Sequence, residues 1–424
     1  MASWRWVLQL LTRKLWFRAS LLAALGVATA LLATLVDGII PDDLSTELGA
    51  RAVERILEIL ASSMLVVTTF SLSVLVSAHN AATANVTPRA AKLLVEDPIS
   101  QNVLAVFIGT FLFSLVGIAA LTTNAYGDEG RFVLFVVTIG VIGLVVAALL
   151  RWIDYLSSLG HVSTISDRVE EAAAAAIRDR AQNPTFGAAP LDRKVEDLPD
   201  VTPVYPSRTG YIQNIDVGQL SQLAETLGEI YVVVLPGAFV SPSSPILWVK
   251  GEADERIIEA RAELESVFAI GNERTFDQDP RFGIAVMAEI ASRALSPGIN
   301  DPGTAINVVG RLVRLLRLWL DRDERAEIVY PRVFVPRLRT DDFFQEAFFP
   351  PSRDGAGHVE VQIAMVEALR SLQAAGNEAF RRSATKQLRS TMARAMERLT
   401  FDADRERLDQ AAGDVDRADD PVPR

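Results

Sequence analysis

Four apolar runs dominate the start of the chain, at residues 15–40, 56–78, 103–123 and 132–156. A helix needs roughly 20 apolar residues to cross the hydrocarbon core of a bilayer. Lipid offers no partner for a free backbone N–H or C=O, so a segment this apolar crosses only as a helix. Residues 1–160 are therefore expected to form a four-helix transmembrane domain.

The charges between the runs set an orientation. Arg5, Arg13, Lys14 and Arg18 precede the first run and Pro41-Asp42-Asp43 follow it. Basic flanks stay on the cytoplasmic side, which places the N-terminus inside. Arg89 and Lys92 in the next loop, the acidic Asn124 to Arg131 loop, and Arg151 with Trp152 after the fourth run all agree. The expectation is a multi-pass membrane protein with both termini cytoplasmic. Ala28-Thr29-Ala30 resembles a signal cleavage site, but the apolar run around it is longer than a secretory signal core.

The second run differs from the others in its hydroxyls. Ser62, Thr69, Ser73 and Asn80 fall near one helical stripe and are the pore-lining candidates. The alternative is that these groups bond to their own helix carbonyls or to a neighbouring helix. Asp37, Glu58 and Asp154 lie only at the ends of the runs, which argues against a proton relay at depth.

Beyond Gly160 the chain carries 32 basic and 42 acidic residues. An acidic region of this kind lacks the basic face that nucleic acid requires, so no nucleic-acid partner is expected. The chain has no cysteine, and its three histidines, His79, His161 and His358, are scattered. No metal site and no cofactor are expected.

Residues 161–206 read as a helix and a proline-broken linker. Residues 207–250 read as a small β-rich unit, with strands at 208–216, 230–240 and 245–249 and a helix at 218–227; its two turns resemble half-barrels of the barrel-sandwich kind. No lysine sits at the central hairpin, so cofactor attachment does not carry over. Residues 251–400 read as mainly helical, with a short strand at 328–335. Asn300-Asp301-Pro302 is a strong helix start, and Arg311, Arg314 and Arg317 recur every third residue after it. Glu289 and Arg293 stand in the favourable order for a helix ion pair. The acidic stretch 401–424 reads as a disordered tail. The fold class is thus a transmembrane α-helical domain joined to a cytoplasmic α+β domain.

Two strings carry a family resemblance: Gly271-Asn-Glu-Arg-Thr-Phe-Asp-Gln-Asp-Pro-Arg-Phe-Gly-Ile284 and Arg293-Ala-Leu-Ser-Pro-Gly-Ile-Asn-Asp-Pro-Gly-Thr-Ala305. Thr87-Pro-Arg89, Phe107-Ile-Gly-Thr-Phe111 and Gly210-Tyr-Ile-Gln-Asn-Ile-Asp216 add to it. The chain resembles the bacterial predicted membrane proteins catalogued as domain of unknown function 2254. The resemblance implies a multi-spanning inner-membrane protein with a cytoplasmic C-terminal domain and supplies no activity. Phe113 departs from it, where an aromatic hydroxyl is expected.

Three function classes follow. The first is a homo-oligomeric channel in the lipid bilayer, with the hydroxyl stripe meeting ions and Arg89 among the rim charges. The second is a non-conducting membrane-anchored sensor or scaffold. The third is an enzyme, for which Arg274, Asp277, Asp279, Arg293, Asn300 and Asp301 are the candidates, because they flank two helix starts that attract anions. The competing account is structural, with Arg274 and Arg293 pairing with those acids to pin a tight turn. No nucleophile elbow, phosphate loop or paired catalytic carboxylate is recognisable, so no catalytic residue is assigned and no enzyme is expected.

Overall fold

Among the described residues, three helices are long and apolar enough to cross a membrane, at Ala52–Ala78, Ile99–Thr122 and Gly130–Leu156. The computed structural model describes residues 50–95, 98–123, 128–158, 161–251, 254–322 and 326–413, with Ser20, Ala24 and Ala28 standing alone before them. The expected span at 15–40 lies outside the continuous described segments. The chain divides into two compact units: residues 1–84 with 91–165, and residues 85–90 with 166–424.

In the first unit, α1 (Ala50–Asn85), α2 (Pro88–Val95), α3 (Pro98–Thr122) and α4 (Asp128–Ser158) follow in order. Val53, Leu57 and Met64 of α1 pack with Phe107 and Phe113 of α3 and with Leu134, Val141, Val145 and Trp152 of α4. Gly117 sets the closest approach, since a Cβ there would lie 2.9 Å from Leu57 Cδ1. Phe113 is fully buried in this apolar layer. Thr87 caps α2, accepting a hydrogen bond from the Ala90 N–H at 3.2 Å.

The second unit begins with α5 (Val162–Gln182), followed by β1 (Ala188–Pro190), β2 (Val201–Val204), β3 (Gly210–Ile215), α6 (Val217–Leu227), β4 (Glu229–Val232), β5 (Phe239–Val240) and β6 (Leu247–Lys250). Next come α7 (Asp254–Glu259), α8 (Arg261–Ser266), β7 (Phe268–Gly271), α9 (Pro280–Ala294), α10 (Pro302–Leu320) and β8 (Tyr330–Val335). The chain then runs through α11 (Thr340–Asp354), α12 (Val359–Ala375), α13 (Glu378–Arg398) and α14 (Asp402–Ala412).

The strands do not close into a barrel-sandwich, which corrects the expectation for residues 207–250. They divide between a five-stranded sheet of order β1-β8-β4-β6-β2 and a three-stranded sheet of order β5-β3-β7. The β4–β6 pair is antiparallel, while β8 runs parallel to both β4 and β1. A two-strand hairpin leaves both outer edges unpaired, and here distant segments satisfy them. β8 covers β4 and β2 covers β6; β2, and the β1 that pairs with β8, come from the proline-rich stretch read as a linker. Pro190 and Pro203 sit in β1 and β2, the outermost strands of their sheet, where a missing N–H costs least. Ile212, Leu220, Ile230, Val249, Phe268 and Val333 lie in the core shared by the sheets and α6.

The helical part is held by aromatic stacking. Trp319 of α10 lies against Phe343 of α11 with ring centroids 4.7 Å apart, and Phe344 meets Phe380 of α13 edge-on at 5.3 Å. α14 corrects the expected disorder at its N-terminal part. Its composition is polar, but Leu408 and Ala412 are buried, and Arg405 Nε donates to the Leu399 carbonyl at 2.7 Å. Residues 414–424 lie outside the described residues.

Candidate functional site

The hydroxyl stripe lies on the uncovered side of α1. Ser62, Thr69, Ser73 and Asn80 are all exposed. Ser62 Oγ donates to the Glu58 carbonyl at 3.0 Å, Thr69 Oγ1 to Leu65 at 2.9 Å and Ser73 Oγ to Thr69 at 2.9 Å. The hydrogens are thus spent inside the helix, and the oxygens face outward as acceptors. Leu65, Leu72 and Val76 are also exposed. In the most apolar stretch of each described span, 17% of α1 is buried, against 50% for α3 and 28% for α4, so α1 is the least covered of the three described spans. From residue 136 to 150 the exposed side chains of α4, by contrast, are apolar, through Val136, Ile139, Leu144, Val146 and Leu150, before the exposed Arg151 and Asp154.

The six motif candidates do not form one site. They sit at opposite ends of α9, a helix of 15 residues and therefore roughly 22 Å long at 1.5 Å per residue. At its N-terminus Asp279 is 1% exposed and caps the helix, accepting from the Arg281 N–H at 3.2 Å. Arg274 Nε donates to Asp279 Oδ2 at 2.7 Å, and Arg274 Nη2 lies 3.6 Å from Glu346 Oε2. Arg281 Nη1 reaches Asp342 at 3.3 Å and Glu346 at 3.8 Å. Gly237, at φ +89°, closes over the pair; any Cβ there would overlap the Asp279 carboxylate. Asp277 is exposed beside this cluster.

Arg180, at the end of α5, completes the cluster. It is 2% exposed, its guanidinium stacks 3.6 Å from the Phe186 ring centroid, and none of its three side-chain nitrogens has a hydrogen-bond partner. Burial pushes its pKa down to about 9; the carboxylates of Asp179 and Asp279 resist that shift, and Arg281 adds to it. Burial also pulls Arg274 down, but its hydrogen bond and charge contact with Asp279 outweigh that and leave it above the usual arginine value. Burial raises the Glu346 carboxyl, with Arg274 and Arg281 offsetting the rise only in part. Three guanidinium groups thus converge with Asp279 and Glu346 on the loop between β7 and α9, and they fix that loop against α5 and α11.

At the far end of α9, Arg293 is exposed, and Glu289 pairs with Arg89 at 2.6 Å. Asn300 adopts φ +51° and its Oδ1 lies 3.0 Å from His358 Nε2. Asp301 caps α10 through Thr304, accepting from its N–H at 3.0 Å and its hydroxyl at 2.6 Å. Those hydrogen bonds hold the Asp301 carboxyl below its ordinary value. Its stabilising contribution is therefore present above the ordinary aspartate pKa and is lost as pH falls through the lowered one. Asp301→Ala is expected to cost about 1 kcal/mol, the usual worth of such a cap, in denaturant unfolding at neutral pH. An unchanged midpoint would show that the cap contributes nothing.

Sequence reading missed Arg180, Arg281, Glu346 and Gly237. Arg281 stood inside the quoted motif, but nothing local in an alanine-rich helix marks Arg180 as buried. The arginine repeat on α10 was legible, and its role was not. Arg311 Nη1 bonds Asp167 at 2.6 Å and Glu170 at 2.7 Å, while Arg314 grips Glu170 through two bonds of 2.7 and 2.9 Å. Arg317 stays exposed. Burial raises the Glu170 carboxyl, but the two arginines outweigh it and hold the net value below that of a free glutamate. Among the described residues no group of three His, Cys, Asp or Glu is placed to hold a metal ion.

Comparison with known proteins places these features in a family. The chain is 28% identical over 321 residues to an uncharacterized protein of Mycobacterium tuberculosis and, equally, to one of Mycobacterium bovis. The match covers 72% of this chain and 60% of each relative, so the chain spans under two thirds of the relatives' length. No solved structure matches. The family profile described as "Predicted membrane protein (DUF2254)" matches residues 12–371, and the chain, with its three apolar helices and its separate α+β unit, belongs to that family.

Proposed function

We propose that the protein is a homo-oligomeric channel of the bacterial inner membrane, in which α1 from several copies surrounds a polar path. The observation that carries this reading is the exposed stripe of Ser62, Thr69, Ser73 and Asn80 on the least covered of the described spans. One subunit of so few helices is too small to enclose a hydrated pore, so the stripe needs other copies to face. Hydroxyls that donate inward present oxygen acceptors outward, a lining that favours cations over anions. The basic residues flanking the spans support a reading in which both termini and the α+β unit are cytoplasmic. No catalytic role is assigned.

Cysteine scanning tests the reading directly, because the chain has no cysteine of its own. Hydrophilic thiol reagents should modify cysteines at positions 62, 69, 73 and 80 and spare those at Val53, Leu57 and Met64, on the buried face of α1. Purified protein in planar bilayers should then show discrete current steps that modification at those four positions blocks. Uniform protection at all seven positions, or electrical silence across voltage and tension, would sink the channel. A specific observation favours the second reading, a non-conducting anchored sensor or scaffold: a hydroxyl satisfied by its own helix carbonyl has no need of water.

A further inference from the structure

We propose that the groove between α12 and α13 binds a compact, multiply phosphorylated anion. The groove encloses about 870 Å³, within the range of small-molecule sites. Arg370, Arg381, Arg382, Lys386 and Arg389 line it against a single acid, Glu378. The region beyond Gly160 is otherwise acidic, with 42 acidic against 32 basic residues, so this concentration of cations runs against its surroundings.

The groove is built by helix spacing. On α13, Arg382 and Lys386 stand four residues apart, as do Thr385 and Arg389, and all face the last two turns of α12. Like charges at that spacing repel and weaken a helix. Lys386 finds relief in Asp341 at 2.8 Å. Arg381 and Arg382 are exposed and have no carboxylate partner among the described residues, which leaves their charge for something outside the chain. Arg370 is held from behind by the Ala411 carbonyl of α14 at 2.8 Å, and this fixes one wall. The floor is polar: Gln373 Nε2 donates to Thr385 Oγ1 at 2.8 Å, and that hydroxyl donates on to the Arg381 carbonyl at 2.8 Å.

The chemistry of the lining selects the ligand class. Four of the five cations are arginines, whose planar forks match the paired oxygens of phosphate better than an ammonium does. No aromatic side chain lines the groove, so nothing there would stack on a nucleobase. A chain of phosphates or a clustered phosphate monoester satisfies both conditions. The phosphate could belong to a free metabolite or to a lipid headgroup, and the two sources are separable.

The test uses the full chain in phosphatidylcholine nanodiscs, with tripolyphosphate as the probe and titration calorimetry as the readout. Saturable binding of one tripolyphosphate per chain is expected at low salt. In the Arg381→Gln/Arg382→Gln double variant the affinity should fall by about 10- to 100-fold, the worth of a lost charge-assisted contact. Arg398→Gln, on the same helix but outside the groove, should bind like the unaltered protein. Both substituted groove residues are exposed, so the fold is expected to persist, and a melting curve checks it. If phosphatidic acid in the nanodisc abolishes uptake of tripolyphosphate by the unaltered protein, the natural source is a headgroup. If uptake is unaffected, the source is a free anion. Absence of saturable binding would overturn the proposal, as would equal affinity in the double variant and the unaltered protein. Binding is read without any current, so failure here and failure of the channel reading are distinguishable.

Discussion

Asp279→Ala is expected to destabilise the second unit by roughly 3–5 kcal/mol, the cost of breaking a buried ion pair by removing one partner. Asp279 is the carboxylate on which Arg274 bonds directly, and it also offsets the charge of Arg180. Its removal strands both guanidinium groups in the interior and takes away the cap of α9. Asp279→Asn keeps an oxygen for the cap but not the charge, so it should lose most of the same stability. Denaturant unfolding followed by Trp319 fluorescence checks this, since that indole is buried against α11. A loss under about 1 kcal/mol for the alanine variant, the worth of a cap alone, would mean that the pair does not hold the loop.

Arg180→Met should act in the opposite direction, raising stability by about 1–3 kcal/mol, the penalty of a buried polar group left without a hydrogen bond, because Asp279 keeps Arg274 as its bonded partner. The arginine lies buried with three unpartnered nitrogens, and methionine can keep the packing on Phe186. Its pKa supports the sign. The folded value is about 9, well below that of an arginine in the unfolded chain, so folding disfavours the protonated form. That cost is fully present below about pH 9 and shrinks as pH rises above it. The advantage of the methionine variant should therefore be constant through neutral pH and narrow above pH 9. A methionine variant less stable than the parent would show that Arg180 holds an anion, and the cluster would become a ligand site.

How much of this was legible depended on how local the determinant was. Apolar length identified the three spans, and the cap Asp301 with Pro302 located the start of α10, because each signal is complete within one segment. The sheet was legible only in part. The strand at 328–335 was readable as β8, but its parallel seat between β1 and β4 was not; β1 and β2 are short and partner segments far along the chain, and the prolines that read as a linker are edge-strand prolines. The motif misled in a different way. Residues 274–301 are continuous in sequence, yet α9 carries their two ends apart, so Arg274 answers to Asp279 and Glu346 rather than to Asp301. The tail misled through composition, since two buried side chains, Leu408 and Ala412, were enough to dock a polar helix.

The parallel seat of β8 between β1 and β4 has a consequence for biosynthesis. β4 and β6 leave the ribosome as a ready hairpin, but the strand that covers the other edge of β4 is encoded roughly 80 residues later. At about 5–20 residues per second, that edge waits about 4–16 s for its partner. An open strand of Ile230, Tyr231 and Val232 is a template for pairing with another nascent chain. The apolar spans emerge first and commit each chain to the membrane, so neighbouring polysomes would hold many such edges close to one surface. The speed of translation between β6 and β8, and the chaperones that meet the chain there, therefore bear on the yield of folded protein as directly as the stability of the finished sheet.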